Sequence, residues 1–214
     1  MQVTLVDHMG SDLTTVNAAR VSFNKESKWE YDDSGFSFDL NEKDQKLIKY
    51  LAKEGHYSPF GHSFASFRVK APIFVRSQLV KHEYLRMNEV SRRYVDSEPE
   101  FYVPEQIRKK ASDKKQGSSD EVFDPDQLNW TDYYSAYSEY KFLLEQGVAP
   151  EQARMVLPQS TYTEWFWSGS LDAFAKMYKL RTGPHVQKET KEIADMIGKE
   201  MKELYPYSWS ALNE

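Results

Sequence analysis

The stripe Val186, Thr190, Ile193, Ala194, Ile197, Met201 and Leu204 restricts the fold most, because its spacing predicts one long helix over roughly 185–204 with a single apolar face. That face needs a core to lie against. Further helices are predicted over Trp130 to Gln146, with Trp130, Tyr133, Tyr134 and Tyr137 on one side, over Pro150 to Leu157, and over Leu171 to Arg181. Near the start, TTVNAARVSF reads as a short helix running into a turn. Asn41 reads as an N-cap, with Asp44 three residues on, Leu47, Ile48 and Leu51 at helical spacing, and Gly55 as the stop. Strands are fewer. VTLVDHM alternates weakly, and SFASFRVKAP (63–72) reads as a strand ending at Pro72. Beyond it, IFVRSQLVKHEYLRM has the length and apolar spacing of a helix. Residues 108–126 have the composition of a solvated loop. Strands that do not alternate regularly with helices, and no internal repeat, indicate an α+β fold, and residues 1–214 read as one domain.

Bulk properties narrow the function. A net charge of -5 argues against a nucleic-acid binder, since phosphate-tracking surfaces need a basic surplus. No apolar run approaches a membrane span and the N-terminus lacks a signal-peptide pattern, so a soluble, cytoplasmic protein is expected. Cysteine is absent, which removes disulfides, thiolate metal sites and cysteine nucleophiles together. Two histidines six apart, His56 and His62, with no HExxH motif, do not make a zinc site. Neither GxGxxG nor GxxxxGK[ST] occurs.

The segment 75–94, VRSQLVKHEYLRMNEVSRRY, crowds polar groups among few aliphatic residues. On a helix, Gln78, Lys81 and His82 share a face. Past Asn88 the chain should leave the helix, and in an extended run Glu89, Ser91 and Arg93 fall on one side. A carboxylate, a hydroxyl and a guanidinium suit a phosphorylated, hydroxylated small molecule, and a solvated, salt-bridged helix end fits the spacing equally. Arg154, in EQARMVLP, leaves a helix whose neighbours look buried, so an anionic partner is expected. Arg181 ends a helix, where neutralising the dipole is explanation enough.

NAARVSF, GHYSPFGH, VKAPIFVRSQLVKHEYLRMNEVSRRYV, FYVP, GVAPEQARMVLP and KLRTGPHVQKE resemble, in order and spacing, the flavin-dependent thymidylate synthase (ThyX) family over nearly the whole chain. Against the family pattern RHRxxSxNExSxRY, residues 81–94 keep His, Asn, Glu, the second Ser, Arg and Tyr. They depart at Lys81, Glu83 and Arg86, which marks a divergent branch, viral or cellular. The resemblance implies a ThyX-like α+β fold, with a central, mostly antiparallel sheet and flanking helices, assembled as a homotetramer with shared active sites. It implies methylation of dUMP at C5, with a methylene from 5,10-methylenetetrahydrofolate and a hydride from FAD that NADPH has reduced. A chain without cysteine cannot use the alternative route, which attacks the pyrimidine with a thiolate.

Position by position, the resemblance implies a dUMP site of Gln78, Lys81, Glu89, Ser91, Arg92, Arg93, Arg154 and Arg181. Arg181 would stabilise the ionised N3 of uracil and His56 would lie near flavin and folate, these two being the catalytic candidates. The FAD set is Ser58, Lys81, His82, Glu83, Asn88, Glu89, Ser170, Asp172, Lys176 and Gln187. Here the pattern fits less well: Gly61, Glu83, Ser170 and Asp172 stand where the family has Glu, a basic residue, Asn and Arg, and Lys81 and Lys176 offer point charges without a fork. Two other readings stay open at this level: a related dCMP or dUMP methylase or hydroxymethylase, and a nucleotide-binding homologue without flavin chemistry.

Overall fold

The computed structural model describes residues 1–95, 97–112, 118–124 and 133–214. The centre is a four-stranded, wholly antiparallel sheet in the order β1-β4-β8-β5, formed by β1 (Gln2–Met9), β4 (Phe64–Pro72), β8 (Tyr162–Ser170) and β5 (Leu85–Glu89). Along β4 and β8 the side chains alternate, so Ala65, Phe67, Val69, Ala71, Trp165 and Trp167 are buried on one face while Phe64, Arg68 and Phe166 stand exposed on the other. The buried face carries the helices α2 (Glu42–Lys53), α6 (Leu171–Arg181), α7 (Lys188–Leu204) and α8 (Pro206–Asn213), contributing among others Ile48, Phe174, Met177, Ile193, Ile197 and Met201. Phe67 and Trp167 both meet Phe174 edge-on, with ring centroids 5.3 and 5.6 Å apart, the arrangement that ring quadrupoles favour. No helix among the described residues is long and apolar enough to cross a membrane.

Several elements form for the reasons the sequence supplies. Asn41 caps α2, its side chain accepting from the Asp44 amide at 2.9 Å, and Gly55 ends that stretch with a positive φ of 70°. α1 (Asp12–Arg20) passes into a 3-10 turn, Val21–Phe23. The buried Asp44 carboxylate accepts from Arg20 Nε at 2.9 Å, which satisfies a charge otherwise costly to bury. Asp12 does remote work: its two carboxylate oxygens accept from the backbone amides of Tyr207 (3.0 Å) and Ser208 (2.8 Å), capping α8 from the other end of the chain. Burial is the largest influence on this carboxyl and pushes its pKa up, while those hydrogen bonds pull it back. The Tyr205 hydroxyl reaches the carbonyls of Met9 and Phe64 at 3.1 and 2.8 Å.

Four expectations are overturned. The helix expected across IFVRSQLVKHEYLRM stops early: α3 spans only Ile73–Leu79, residues 81–84 turn, and β5 starts at Leu85. The free edge of β8 is the competing influence, because pairing with it buries Leu85, and Gly169 opposite has no Cβ to hold the strand away. Gln78, Lys81 and His82 therefore do not share a helical face. Nor is the chain extended from Glu89 to Arg93: Glu89 ends β5, and Ser91–Tyr94 is a turn closed by the Tyr94 amide on the Ser91 carbonyl at 3.0 Å. The 108–126 loop contains a small hairpin, β6 (Arg108–Lys110) with β7 (Ser118–Val122), anchored by Arg108 Nη2 on Glu189 at 2.7 Å. Arg154 and its neighbours Met155 and Val156 are exposed, since α5 (Pro150–Ala153) runs into a 3-10 turn whose buried member is Ala153.

Strand β8 and helix α8 were not foreseen. Another two-stranded hairpin, β2 (Glu30–Tyr31) with β3 (Phe38–Asp39), lies outside the main sheet, and α4 (Tyr133–Glu145) takes most of the helix expected from Trp130, which itself lies outside the described residues.

Candidate active site

The end of α6 and the turn after α3 meet around Arg181. Its Nε donates to His82 Nε2 at 2.8 Å and its Nη2 to the Gln78 carbonyl at 2.8 Å. The Gln78 side-chain amide in turn donates to the side chain of Gln187, the N-cap residue just before α7. Burial, and then the charges of Arg181 and Lys176, hold His82 down to about 4 from an ordinary 6.5, so the imidazole is neutral at physiological pH. An Nε2 that accepts fixes the proton on Nδ1. Burial also draws the Arg181 guanidinium below its usual pKa. Among the described residues Arg181 has no carboxylate partner. A half-buried cation held by neutral acceptors retains its charge for an incoming anion.

The second grouping is a cleft of about 420 Å³ at the far end of β5, lined among others by Glu89, Ser91, Arg92, Arg154 and Thr163. Glu89 sits where the β5–β8 register sets it diagonally across from Thr163, whose hydroxyl donates to Glu89 Oε1 at 2.8 Å; Arg76 Nη2, from α3, lies 2.6 Å from Oε2. Arg92 Nη1 donates to the Ser97 carbonyl at 2.8 Å, and Arg154 Nε to the Glu151 carbonyl at 3.3 Å, and among the described residues neither guanidinium has an ion-pair partner. Arg93 turns aside to Glu151, 3.2 Å away and exposed, a pair worth about 0–1 kcal/mol that a phosphate can displace.

His56 and Ser58 line a third space of about 630 Å³ with Arg20, Ser22, Phe23, Lys25 and Tyr50, His56 lying edge-on to Tyr50 at 6.1 Å. Nearer α6, Ser170 donates to Asp172 Oδ1 at 2.6 Å and Lys176 lies 3.8 Å from Glu83. Both unexpected carboxylates thus have local partners. Lys81 and Asn88 are exposed, Lys81 without an ion pair among the described residues. In one chain, then, Arg181, His82, Gln78 and Gln187 come together, Glu89, Ser91, Arg92 and Arg154 come together, and His56 with Ser58 stands in a pocket of its own.

Sequence reasoning missed Arg76 and Thr163. The signal for Arg76 was the one applied to Arg154 and Arg181, a cation set in an apolar run, here IFVRSQL. Thr163 was hidden with β8, although the alternation Trp165, Trp167 in YTEWFWSGS was legible.

Residues 4–207 match the family described as thymidylate synthase complementing protein, Thy1. The chain belongs to that family. Among curated Thy1 relatives, a flavin-dependent thymidylate synthase of Thermus thermophilus is 40% identical over 214 residues, covering 99% of this chain and 75% of its own length. That of Kosmotoga olearia is 39% identical over 217 residues, covering 98% and 88%. Among solved structures, the UMP/dUMP methylase PolB of Streptomyces cacaoi, crystallised with 5-Br dUMP, superposes with a TM-score of 0.83 at 33% identity, covering 98% of this chain and 93% of that one.

Proposed function

We propose that the protein is a flavin-dependent thymidylate synthase converting dUMP to dTMP, with 5,10-methylenetetrahydrofolate as carbon donor and NADPH-reduced FAD as hydride source. Arg181 carries the proposal: a half-buried guanidinium held by a neutral histidine and a carbonyl, with no carboxylate partner among the described residues, is suited to the negative charge that develops at N3 of a uracil ring. The names of the relatives, and of a structural neighbour crystallised with a dUMP analogue, support the same substrate.

In this reading Arg154, Arg92 and Arg93 grip the phosphate, Ser91 adds a hydroxyl, and Glu89 accepts a hydrogen bond from the nucleotide. Gln78 and Arg181 address the pyrimidine, with Lys81 beside them. Because one chain separates the Arg181 cluster from the Arg154 cleft, a homotetramer in which one subunit completes the site of another is part of the proposal. The exposed Phe64 and Phe166 on the open face of the sheet suit such contacts.

The residues present fit a flavin nucleotide. The 630 Å³ pocket has exposed aromatic rings, Phe23 and Tyr50, for a planar system and Lys25 for a phosphate, and the carboxylates of Glu83 and Asp172 are each engaged locally. Of the residues that would hold it, Ser58 lines that pocket in this chain, while Lys81, His82, Glu83, Asn88, Glu89, Ser170, Asp172, Lys176 and Gln187 stand outside it and would reach the flavin across the proposed subunit contact, with His56 on the folate side. When bound, the flavin supplies the hydride that reduces the transferred methylene to a methyl group. The neutral His82 keeps a second positive charge away from Arg181, leaving the guanidinium to act alone at the pyrimidine.

Incubation with dUMP, folate donor and NADPH should yield a nucleotide heavier by one methyl group, with UMP and dCMP as competing substrates in parallel. Arg181→Ala should abolish turnover while flavin absorbance persists. Absence of methylated product from dUMP rejects the assignment, whatever UMP and dCMP yield.

A further inference from the structure

The Glu89 carboxylate has both oxygens engaged before any ligand arrives. Oε2 is 2.6 Å from Arg76 Nη2 and Oε1 accepts from Thr163 at 2.8 Å, all three side chains standing at the junction of α3, β5 and β8. The ion pair is about three-quarters shielded from solvent, with side-chain exposures of 29% and 26%, which sets it apart from the exposed Lys46–Glu42 and Lys109–Glu121 pairs. Arg76 Nε is buried and has no hydrogen-bond partner, so Glu89 is the ionic anchor of this guanidinium. Arg76 does not line the cleft; Glu89 and Thr163 do.

We infer that Arg76 is a positioning residue, holding Glu89 as a fixed, charged acceptor that reads the sugar hydroxyl of the pyrimidine nucleotide. The inference rests on the dUMP reading above. A carboxylate that receives a cation on one oxygen and a hydroxyl donor on the other presents accepting lone pairs to the cleft, and these select a donor on the ligand. The cations sharing its cleft, Arg92 and Arg154, take the phosphate, and the donor of dUMP nearest its phosphate is the 3′-hydroxyl. Without Arg76 the carboxylate keeps the Thr163 bond but loses the contact that fixes its second oxygen, and hydroxyl selectivity falls while phosphate binding persists.

Titration calorimetry on the flavin-loaded protein, comparing dUMP with 2′,3′-dideoxyuridine monophosphate, tests this without turnover. The wild type should prefer dUMP by about tenfold, the value of one hydrogen bond to a charged group. Arg76→Met and Glu89→Gln should each flatten that preference, the double variant should flatten it no further, and Arg76→Lys should retain most of it. Thr163→Val, which leaves the ion pair intact, should show an intermediate loss. Wild-type preference in Arg76→Met, or losses that add in the double variant, overturns the inference. A wild type that binds dUMP without preferring it rejects the role of Arg76 alone; one that binds neither nucleotide rejects the dUMP reading and this role with it.

Discussion

Gly169→Ala tests whether the β5 edge is set by a missing side chain. A Cβ at 169 would lie 2.9 Å from the carbonyl oxygen of Tyr84, the residue that leads into β5, and would collide with the side chain of Leu85, the first residue of the strand that must pair here. Ordinary contact lies near 3.5 Å, so β5 would have to retreat by about half an ångström. It has little freedom to do so, since Tyr84 already sits at a φ of 63°, a left-handed conformation costing a non-glycine residue about 1 kcal/mol. Overpacking of this kind costs about 1–3 kcal/mol, and alanine returns about 0.4–1 kcal/mol by restricting the unfolded chain. The net expectation is a loss of about 1–2 kcal/mol, read from urea midpoints at unchanged m-value. Because β5 carries Glu89 into the cleft, dUMP affinity should fall with it. Gly61→Ala is the control, as its Cβ would meet only Asp172 Oδ1 at 3.9 Å, an ordinary contact, and should stay within about 0.5 kcal/mol. A Gly169→Ala protein as stable as Gly61→Ala, with undiminished nucleotide binding, would refute the reasoning.

Asp12→Ala strands two backbone amides at the start of α8 and should cost about 2–4 kcal/mol in denaturant melts, with Asp12→Asn, which keeps one acceptor, losing less. His82, depressed to about 4 against 6.5 when unfolded, contributes stability that is whole above about 6.5 and is lost as pH falls through about 4. Between those values the wild type should lose about 1–2 kcal/mol more than His82→Asn, allowing for solvent screening of a half-exposed ring; parallel pH profiles of the urea midpoint would contradict the depressed value. Arg154→Ala should weaken dUMP binding about 10- to 100-fold in calorimetry and leave flavin absorbance unchanged, and an unaltered affinity would remove Arg154 from the phosphate grip.

The elements that sequence makes legible are those whose reasons are local. The cap at Asn41, the stop at Gly55, the stripe of α7 and the alternation of β4 each follow from neighbours a few residues away. β5 does not, because its state is decided by an open ladder on β8, more than seventy residues further along, and because a run such as LRM satisfies helix and strand periods alike. The same distance hid the Thr163 half of the clamp on Glu89, whose two partners come from α3 and β8. Arg181 shows the opposite balance. Spacing allowed no more than a helix-end charge, family resemblance supplied a role, and the contacts with His82 and Gln78 give that role a physical basis.

The bond between Asp12 and the amides of residues 207 and 208 also sets an order of events during synthesis. A carboxylate at residue 12 has no partners until residues 207 and 208 have been made, and the Tyr205 hydroxyl reaches the carbonyls of Met9 and Phe64 only once residue 205 is in place. All four strands of the central sheet, ending at Ser170, are thus synthesised before the acceptors and donors that tie its first strand and helix to α8 are complete.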